Sequence, residues 1–482
     1  MSTDKTTKTR KPAFLMFSSF SQRDFSLLWI SNLTMYISRW MQVTILSWFV
    51  LEMTNSAFSV GLLGFFHFVP FALFGIFGGF LADTVDRKKL VVCTQFMTLF
   101  AAIGMCFLFA FGLIAYWHAY IAILIPGLGW ALDMSSRRTL IMDIMGIEGV
   151  NNGVALDSIG EDTGKIIGPA LGGFLIAFIG TTGGYLILSS IILMGCLSVI
   201  KIKIKTFNLN PSKRTNTYKK TKNYMVFLEG YSLYSGQVSG ALELNVGGSI
   251  AKVFKDLKKG FEYVLTNKVI IAVIIITILM NLFLFPYVQM IAVVSKRILN
   301  VGPLFMGLLL ASDGLGSLCG STFLANKRTI KYQGRLFLYC SILTLFSLAL
   351  FSISSTYLLS LAFLLMLGMG VGGFKIMQSA LVMIVSNPEF RGRAMGIITL
   401  SIGVMPIGNI LVGAIAEQIG AGLTLFGYGI IGFILIIIAG IFLPAIRSEI
   451  IPFQPSIPIN DSSVKWELNL SHKQKPTTKW TI

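Results

Sequence analysis

Six charged side chains lie inside stretches of sequence that are otherwise apolar: Arg39, Asp157, Glu161, Lys165, Asp313 and Lys375. A charge near the centre of a hydrocarbon layer costs at least about 2.5–3.5 kcal/mol on insertion scales. Each must therefore be paired, face a water-filled cavity, or handle a proton or a charged solute. Asp157, Glu161 and Lys165 recur every four residues and so form one stripe on one helix. Arg39 lies close to the middle of the first apolar stretch, where it could meet an anionic substrate, neutralise Glu161 or Asp157, or tie two helices together. Lys375 is near enough to the end of its stretch to snorkel to the interface, and Asp133 has a similar option. His67 stands beside Pro70, where it either titrates or is hydrogen-bonded core. The 482 residues contain no G-x-x-x-x-G-K-[ST] and no H-E-x-x-H, and no His/Cys cluster with ligand spacing. The reading is a protein that is not an enzyme, with no catalytic residues, no metal and no cofactor.

The stretches that carry these charges set the architecture. Hydrophobic residues make up 54% of the chain and charged residues only 12%, against about a quarter charged in soluble proteins. The apolar residues come in blocks of about twenty or more, the length that crosses about 30 Å of hydrocarbon. Backbone amides there must pair within their own segment, so the blocks are expected to be helices. The expected fold is all-α and polytopic, with spans near 25–51, 58–81, 90–113, 118–141, 154–179, 184–200, 269–294, 303–325, 336–354, 357–384, 394–419 and 423–446.

Charge patterning orients them. The net charge of +18 invites a nucleic-acid reading, but the 39 Lys and Arg are distributed by loop. Only Lys296 and Arg297 fall on one side, Arg39, Lys165 and Lys375 fall deep within spans, and the remainder lie on the alternate loops, on both tails or, as Arg137 and Arg138, near the end of a span on that same side. That is the positive-inside pattern of a multi-pass membrane protein with both termini cytoplasmic, and it argues against RNA or DNA as a partner. The first block is too long for a signal peptide and reads as a retained span. The five cysteines, Cys93, Cys106, Cys196, Cys319 and Cys340, lie in apolar blocks without C-x-x-C spacing and read as packing residues.

The chain divides into a cytoplasmic tail (1–24), a six-helix half (25–200), a middle loop (201–268), a second six-helix half (269–446) and a cytoplasmic tail (447–482). At the end of the middle loop, Ile250, Val253, Phe254, Leu257, Phe261, Val264 and Leu265 recur at helical spacing beside Lys252, Lys255, Lys258 and Lys259. A basic amphipathic helix of this kind lies on the bilayer surface or packs on the cytoplasmic ends of spans. The halves echo each other: a shift of 240 residues superposes Gly168 on Gly408, Gly173 on Gly413 and Gly180 on Gly420, and a shift of 241 superposes Gly79 on Gly320 and Arg87 on Arg328. A duplicated six-span unit places a substrate site between the halves near mid-membrane.

Two motifs sharpen this. After the second span the sequence reads Gly79-Phe-Leu-Ala-Asp83-Thr-Val-Asp86-Arg87-Lys88-Lys89. The fifth span reads Gly164-Lys-Ile-Ile-Gly168-Pro169-Ala-Leu-Gly172-Gly173, with Gly164, Gly168 and Gly172 on one face where a neighbour can approach the backbone. Pro169 removes one helical hydrogen bond and should bend the span. The loop after the second span resembles motif A of the major facilitator superfamily at Gly79, Asp83, Arg87 and Lys88, and departs from it at Thr84 and Asp86. The fifth-span segment resembles motif C, matched at every fixed position. Arg391, Arg393 and the Met405-Pro-Ile-Gly408 segment extend the similarity to the drug and siderophore exporters of the transmembrane secretion effector type.

The resemblance implies a conformational latch at motif A that joins the halves in the outward-facing state, a packing face at motif C associated with antiporting exporters, and span 5 lying against span 8. Lys165 and Asp313 could then pair across the halves, as a structural tie or as part of coupling. The fourth span lacks the mid-membrane arginine of the related motif B, so coupling by that scheme is not implied. The function read from this is secondary active export of a small amphiphilic or lipophilic solute, drug-like or siderophore-like, by alternating access with proton antiport, in a monomer of the cell membrane. A facilitator or lysolipid flippase, and a sensor or enzyme on the same scaffold, are the alternatives.

Overall fold

The computed structural model describes residues 17–203, 261–325, 331–387 and 390–450, and among these there are helices and turns but no strand. The helices are α1 (Arg23–Thr54), α2 (Ala57–Thr84), α3 (Arg87–Ala110), α4 (His118–Ile200), α5 (Lys268–Phe283), α6 (Tyr287–Arg297), α7 (Pro303–Ala325), α8 (Gln333–Ile353), α9 (Tyr357–Val385), α10 (Arg391–Ile402), α11 (Met405–Ile419) and α12 (Ala421–Phe442). Most of the 250–265 amphipathic segment, the 204–249 loop, Arg328 and the tails beyond 17 and 450 lie outside the described residues.

Helices and membrane crossings are not one to one. Ten described stretches are long and apolar enough to cross a membrane, and one of these, Asn152–Ile200, is 49 residues long. Helical hydrogen bonding runs through all of α4, but Gly146 (φ 67°) and Gly180 (φ 72°) leave helical geometry and divide it into three rods, 118–145, 147–179 and 181–200. Only glycine takes that backbone region without strain. These rods are spans 4, 5 and 6. Pro169 interrupts neither the hydrogen-bonded helix nor its dihedrals enough to end the rod, so the sharp corners fall at glycines and not at the expected proline bend. Span 1 is α1, 32 residues that would reach about 48 Å; its polar residues keep it out of the ten. The pairs α5–α6 and α10–α11 each form one interrupted span, spans 7 and 11. Twelve crossings result among the described residues, an even number.

The apolar exterior is what a bilayer requires: Phe100, Phe178, Leu358, Leu423 and Phe442 all project outward. Inside, the duplication is structural as well as textual. Gly180 and Gly420, 240 residues apart, both adopt positive φ at the ends of spans 5 and 11. Gly168 packs on span 1 at Ile37, Trp40 and Met41, and Gly408 packs on span 7 at Asn281, Leu282 and Pro286. Each half thus uses its fifth helix against its first in the same way.

Candidate functional site

Span 1 carries the polar residues from which the site grows. Asn32 donates to Asp157 (2.8 Å) and Tyr36 donates to the other oxygen of the same carboxylate (3.1 Å). The oxygen of the Asn32 amide accepts from Arg137 (2.9 Å). Arg137 also grips Asp133 through two nitrogens at 2.9 and 2.8 Å, and Thr94 donates to that carboxylate at 2.7 Å. Spans 1, 3, 4 and 5 are thereby joined by one chain of buried hydrogen bonds. Buried charges held this way fix geometry, because losing one member leaves the next unsatisfied. Asp133 and Arg137 are i, i+4 on span 4, and both are buried.

This frame surrounds a cavity of about 50 Å³ whose lining includes Tyr36, Arg39, Trp130, Asp133, Arg138 and Glu161. The Arg39 guanidinium lies over the Trp130 ring, 3.9 Å from its centre. Such a contact keeps a cation in place without neutralising it. Glu161 lines the same cavity, with Arg138 beside it. His67 is buried with its ring 6.2 Å from that of Trp130.

The two halves meet along two seams. On the first, Lys165 of span 5 and Asp313 of span 8 form an ion pair of 2.8 Å, with side chains 8% and 1% exposed. At those exposures the pair is out of water, so removing one partner leaves a bare buried charge. Tyr287 of span 7 faces the same carboxylate. One turn and more away from the termini, the seam closes to backbone contact: a β-carbon on Gly173 would stand 3.0 Å from the Gly307 α-carbon. On the second seam Gly61 of span 2 meets Gly413 of span 11, where the equivalent distance is 2.8 Å. Glu417 then crosses to the start of span 2 and accepts from the amides of Ala57 (2.6 Å) and Phe58 (3.2 Å). Those amides have no helical acceptor, and a carboxylate satisfies both their hydrogen bonds and the helix dipole. Ser47 donates to Gln289 (2.9 Å), and Arg297 donates to the carbonyl of Asn55.

All these contacts lie at mid-membrane or on the side opposite the termini. Toward the termini Gly403 touches Ala72, and among the described residues nothing stands within 4 Å of a β-carbon on Gly396.

The comparisons agree with this architecture. The sequence pattern of the Major Facilitator Superfamily matches residues 28–406 and 290–480. The chain belongs to the major facilitator superfamily. It is similar to the staphyloferrin A transporter of Staphylococcus aureus (strain NCTC 8325 / PS 47), 24% identical over 148 residues, which is 30% of this chain and 37% of that relative. The alignment thus spans little more than a third of the relative. Among solved structures, a POT family transporter in complex with 5-aminolevulinic acid has a TM-score of 0.65 at 13% identity, covering 89% of this chain and 97% of the other. A mutant of the nucleoside transporter NupG has a TM-score of 0.56 at 14% identity, covering 86% and 99%. At such identities the likeness is one of fold. The chain is a transporter of this superfamily and not an enzyme.

The superfamily motifs take definite places. Gly164, Gly168 and Gly172 of motif C face span 1, at Tyr36, Ile37, Met41 and Thr44, whereas Gly173 faces span 8. The motif therefore serves both the packing of its own half and the seam. In motif A, Arg87 pairs with Asp143 (2.7 Å) and Lys88 donates to the carbonyls of Ile200 and Ile202 (2.9 and 2.7 Å), all within the first half. Asp86 caps α3 through the amide of Lys89. The surroundings of Gly79 and the side chains of Asp83 and Arg393 are outside what the structure describes. Sequence reasoning singled out Arg39, Asp157, Glu161, Lys165, Asp313 and Lys375; the structure pairs Lys165 with Asp313 across the halves, puts Arg39 and Glu161 on one cavity and ties Asp157 to span 1. It missed Asn32, Tyr36, Trp130 and Glu417. Asn32 and Tyr36 precede Arg39 by seven and three residues, so one face of span 1 at helical spacing was the available signal.

Proposed function

We propose that this chain is a secondary active exporter that carries a small amphiphilic solute outward by alternating access, in antiport with protons, in the cell membrane with both termini cytoplasmic. The observation that supports it most is the buried Lys165–Asp313 pair, because it joins the two halves deep within the bundle. In this reading the arrangement with Lys165 and Asp313 paired is the inward-facing one. Solute enters the cavity beside Arg39 and Glu161 from the cytoplasm. Rocking the halves opens both seams and must part Lys165 from Asp313. A lone carboxylate at that depth takes up a proton from the newly opened outer side more readily than it stays charged. On return, Lys165 re-forms the pair and displaces the proton inward. The twelve-span, two-half organisation supplies the rigid bodies, and the similarity to a staphyloferrin A transporter of Staphylococcus aureus is compatible with a siderophore-like solute.

Everted vesicles test this directly. Solute should accumulate in them, an uncoupler should collapse the accumulation, and Asp313→Asn should lose accumulation while keeping solute exchange. Uncoupler-insensitive flux would favour a facilitator or lysolipid flippase instead. Orientation is checked separately: cysteines introduced at Lys213 and Leu470 should resist an impermeant label in intact cells, and labelling from outside would reverse the topology and with it the direction of export.

A further inference from the structure

On the side of the basic loops each half ties the start of its third span to the end of its sixth. In the first half Lys88 of span 3 donates to the carbonyls of Ile200 and Ile202. In the second, Arg335 of span 9 donates through Nε to the carbonyl of Arg447, just past span 12 (2.8 Å). A guanidinium held by Nε keeps the N–H donors of its terminal nitrogens for another acceptor. The Arg335 guanidinium also lies over the Tyr332 ring, 4.3 Å from its centre, and Arg447 donates to the carbonyl of Ile441 (3.2 Å). Both arginines are exposed, and neither has a carboxylate within ion-pair distance among the described residues, Glu449 included. They stand at the polar end of a groove of about 570 Å³ between spans 9 and 12, whose apolar lining includes Leu338, Ile342, Ile436 and Gly440. Sites that hold drug-sized ligands run from about 300 to 1,000 Å³. Ile342 is seven residues along the helix from Arg335, or about 10 Å, so the groove descends from headgroup level into the hydrocarbon. Gly440 keeps it open: a β-carbon there would stand 3.4 Å from both methyl carbons of Leu338, and a larger side chain would enter the groove.

We propose that this groove binds an anionic phospholipid of the leaflet on the side of the basic loops, its phosphate held by Arg335 and Arg447 and one acyl chain lying between spans 9 and 12. An apolar groove at this depth faces lipid and not water, and the arginines select which lipid. Guanidinium groups hold phosphate oxygens through paired, charge-assisted hydrogen bonds, and basic pockets between spans suit anionic headgroups. A zwitterionic lipid brings the same phosphate but sets a cation beside two cations. Bound there, the lipid ties the start of span 9 to the segment after span 12 and steadies the second half. The site is independent of the solute, the coupling ion and the direction of transport.

The test is titration of the purified full-length protein in detergent with phosphatidylglycerol or phosphatidylcholine of the same acyl chains, the first bound lipid being read by native mass spectrometry. Phosphatidylglycerol should bind about tenfold more tightly than phosphatidylcholine, and Arg335→Gln and Arg447→Gln should each weaken it about tenfold, as expected for the loss of one charge-assisted contact. Gly440→Leu should weaken it as well, because it fills the groove while leaving both charges. Arg23→Gln removes an exposed charge from the same side, in the first half, and should change nothing. Phosphatidylglycerol should also raise the melting temperature of the wild type and not that of the double arginine variant, whose lipid-free melting temperature should equal the wild type's. Should Gly440→Leu fold poorly, Gly440→Val fills the groove with a smaller side chain. Equal affinity for the two lipids, an equal loss in Arg23→Gln, or indifference to the arginine substitutions or to filling the groove would each overturn the assignment. Glycerol 3-phosphate binding as tightly as phosphatidylglycerol would overturn it too, since the site would then recognise a free phosphate ester and not a lipid.

Discussion

The two seams between the halves are built on one plan and finished differently. In both, a fifth-position helix of one half lays a glycine against a glycine at the start of a second-position helix of the other: Gly173 on Gly307, Gly413 on Gly61. Beyond that shared core, the span 5–span 8 seam ends at mid-membrane in a buried ion pair, Lys165–Asp313. The span 2–span 11 seam has instead a charged cap at its outer edge, Glu417 on the amides of Ala57 and Phe58. Position decides what each charge is worth. Lys165 and Asp313 are shielded from water, so either one alone is expensive. Glu417 lies at the mouth, where water can replace the amides it holds and the loss is small. The duplication therefore gives both seams the same glycine contact, and the departure from symmetry puts a buried ion pair on one side only.

Breaking the inner element should have the largest effect. Lys165→Met leaves Asp313 buried and unpaired and should destabilise the protein by about 3–5 kcal/mol. Adding Asp313→Asn should recover much of that, so the double variant melts higher than Lys165→Met alone in a thermal-shift assay. If the three variants melted alike, the pair would have no structural weight and the contrast between the seams would disappear.

The shared glycines come next. Gly173→Leu and Gly413→Leu should each insert and fold, since the side chains enter the space between halves and not the interior of either. Each should abolish transport by holding the outer side open, visible as longer distances between spin labels placed at the outer ends of spans 2 and 11. Gly168→Leu is the control that separates the two uses of motif C: it presses on Ile37, Trp40 and Met41 within the first half, so it should lower expression and melting temperature as well as flux.

Glu417→Gln should do least. It keeps a hydrogen-bond acceptor but removes the charge from a helix N-terminus, a change of about 0.3–1 kcal/mol. The outer side should open about two- to fivefold more often, read as faster labelling of a cysteine placed near Asn55, with the melting temperature almost unchanged. A collapse of stability in this variant would mean that the outer cap and the inner pair carry similar weight.

Much of the framework was legible in the amino-acid order because the bilayer imposes it. Twenty-residue apolar blocks, basic residues on alternate loops and glycines repeating at 240 residues all answer to constraints that act locally or by counting, and they placed the twelve crossings and the two halves. The intramembrane charges were legible for the same reason, since a charge in an apolar block stands out whatever surrounds it. What each charge does was decided only by the tertiary structure. Spacing put Asp157, Glu161 and Lys165 on one stripe, yet the fold gives them three different settings: neutral donors from span 1, a cavity shared with Arg39 and Arg138, and a carboxylate from span 8. Glu417 had no signature at all, because the two amides it satisfies are some 360 residues earlier in the chain and a glutamate at the end of a span reads as ordinary interfacial charge. The same holds for motif C: four glycines are indistinguishable in sequence, and only packing sends Gly168 to its own half and Gly173 to the other. Pairing, unlike periodicity, is a property of distance in space, and for these residues the sequence carries no measure of it.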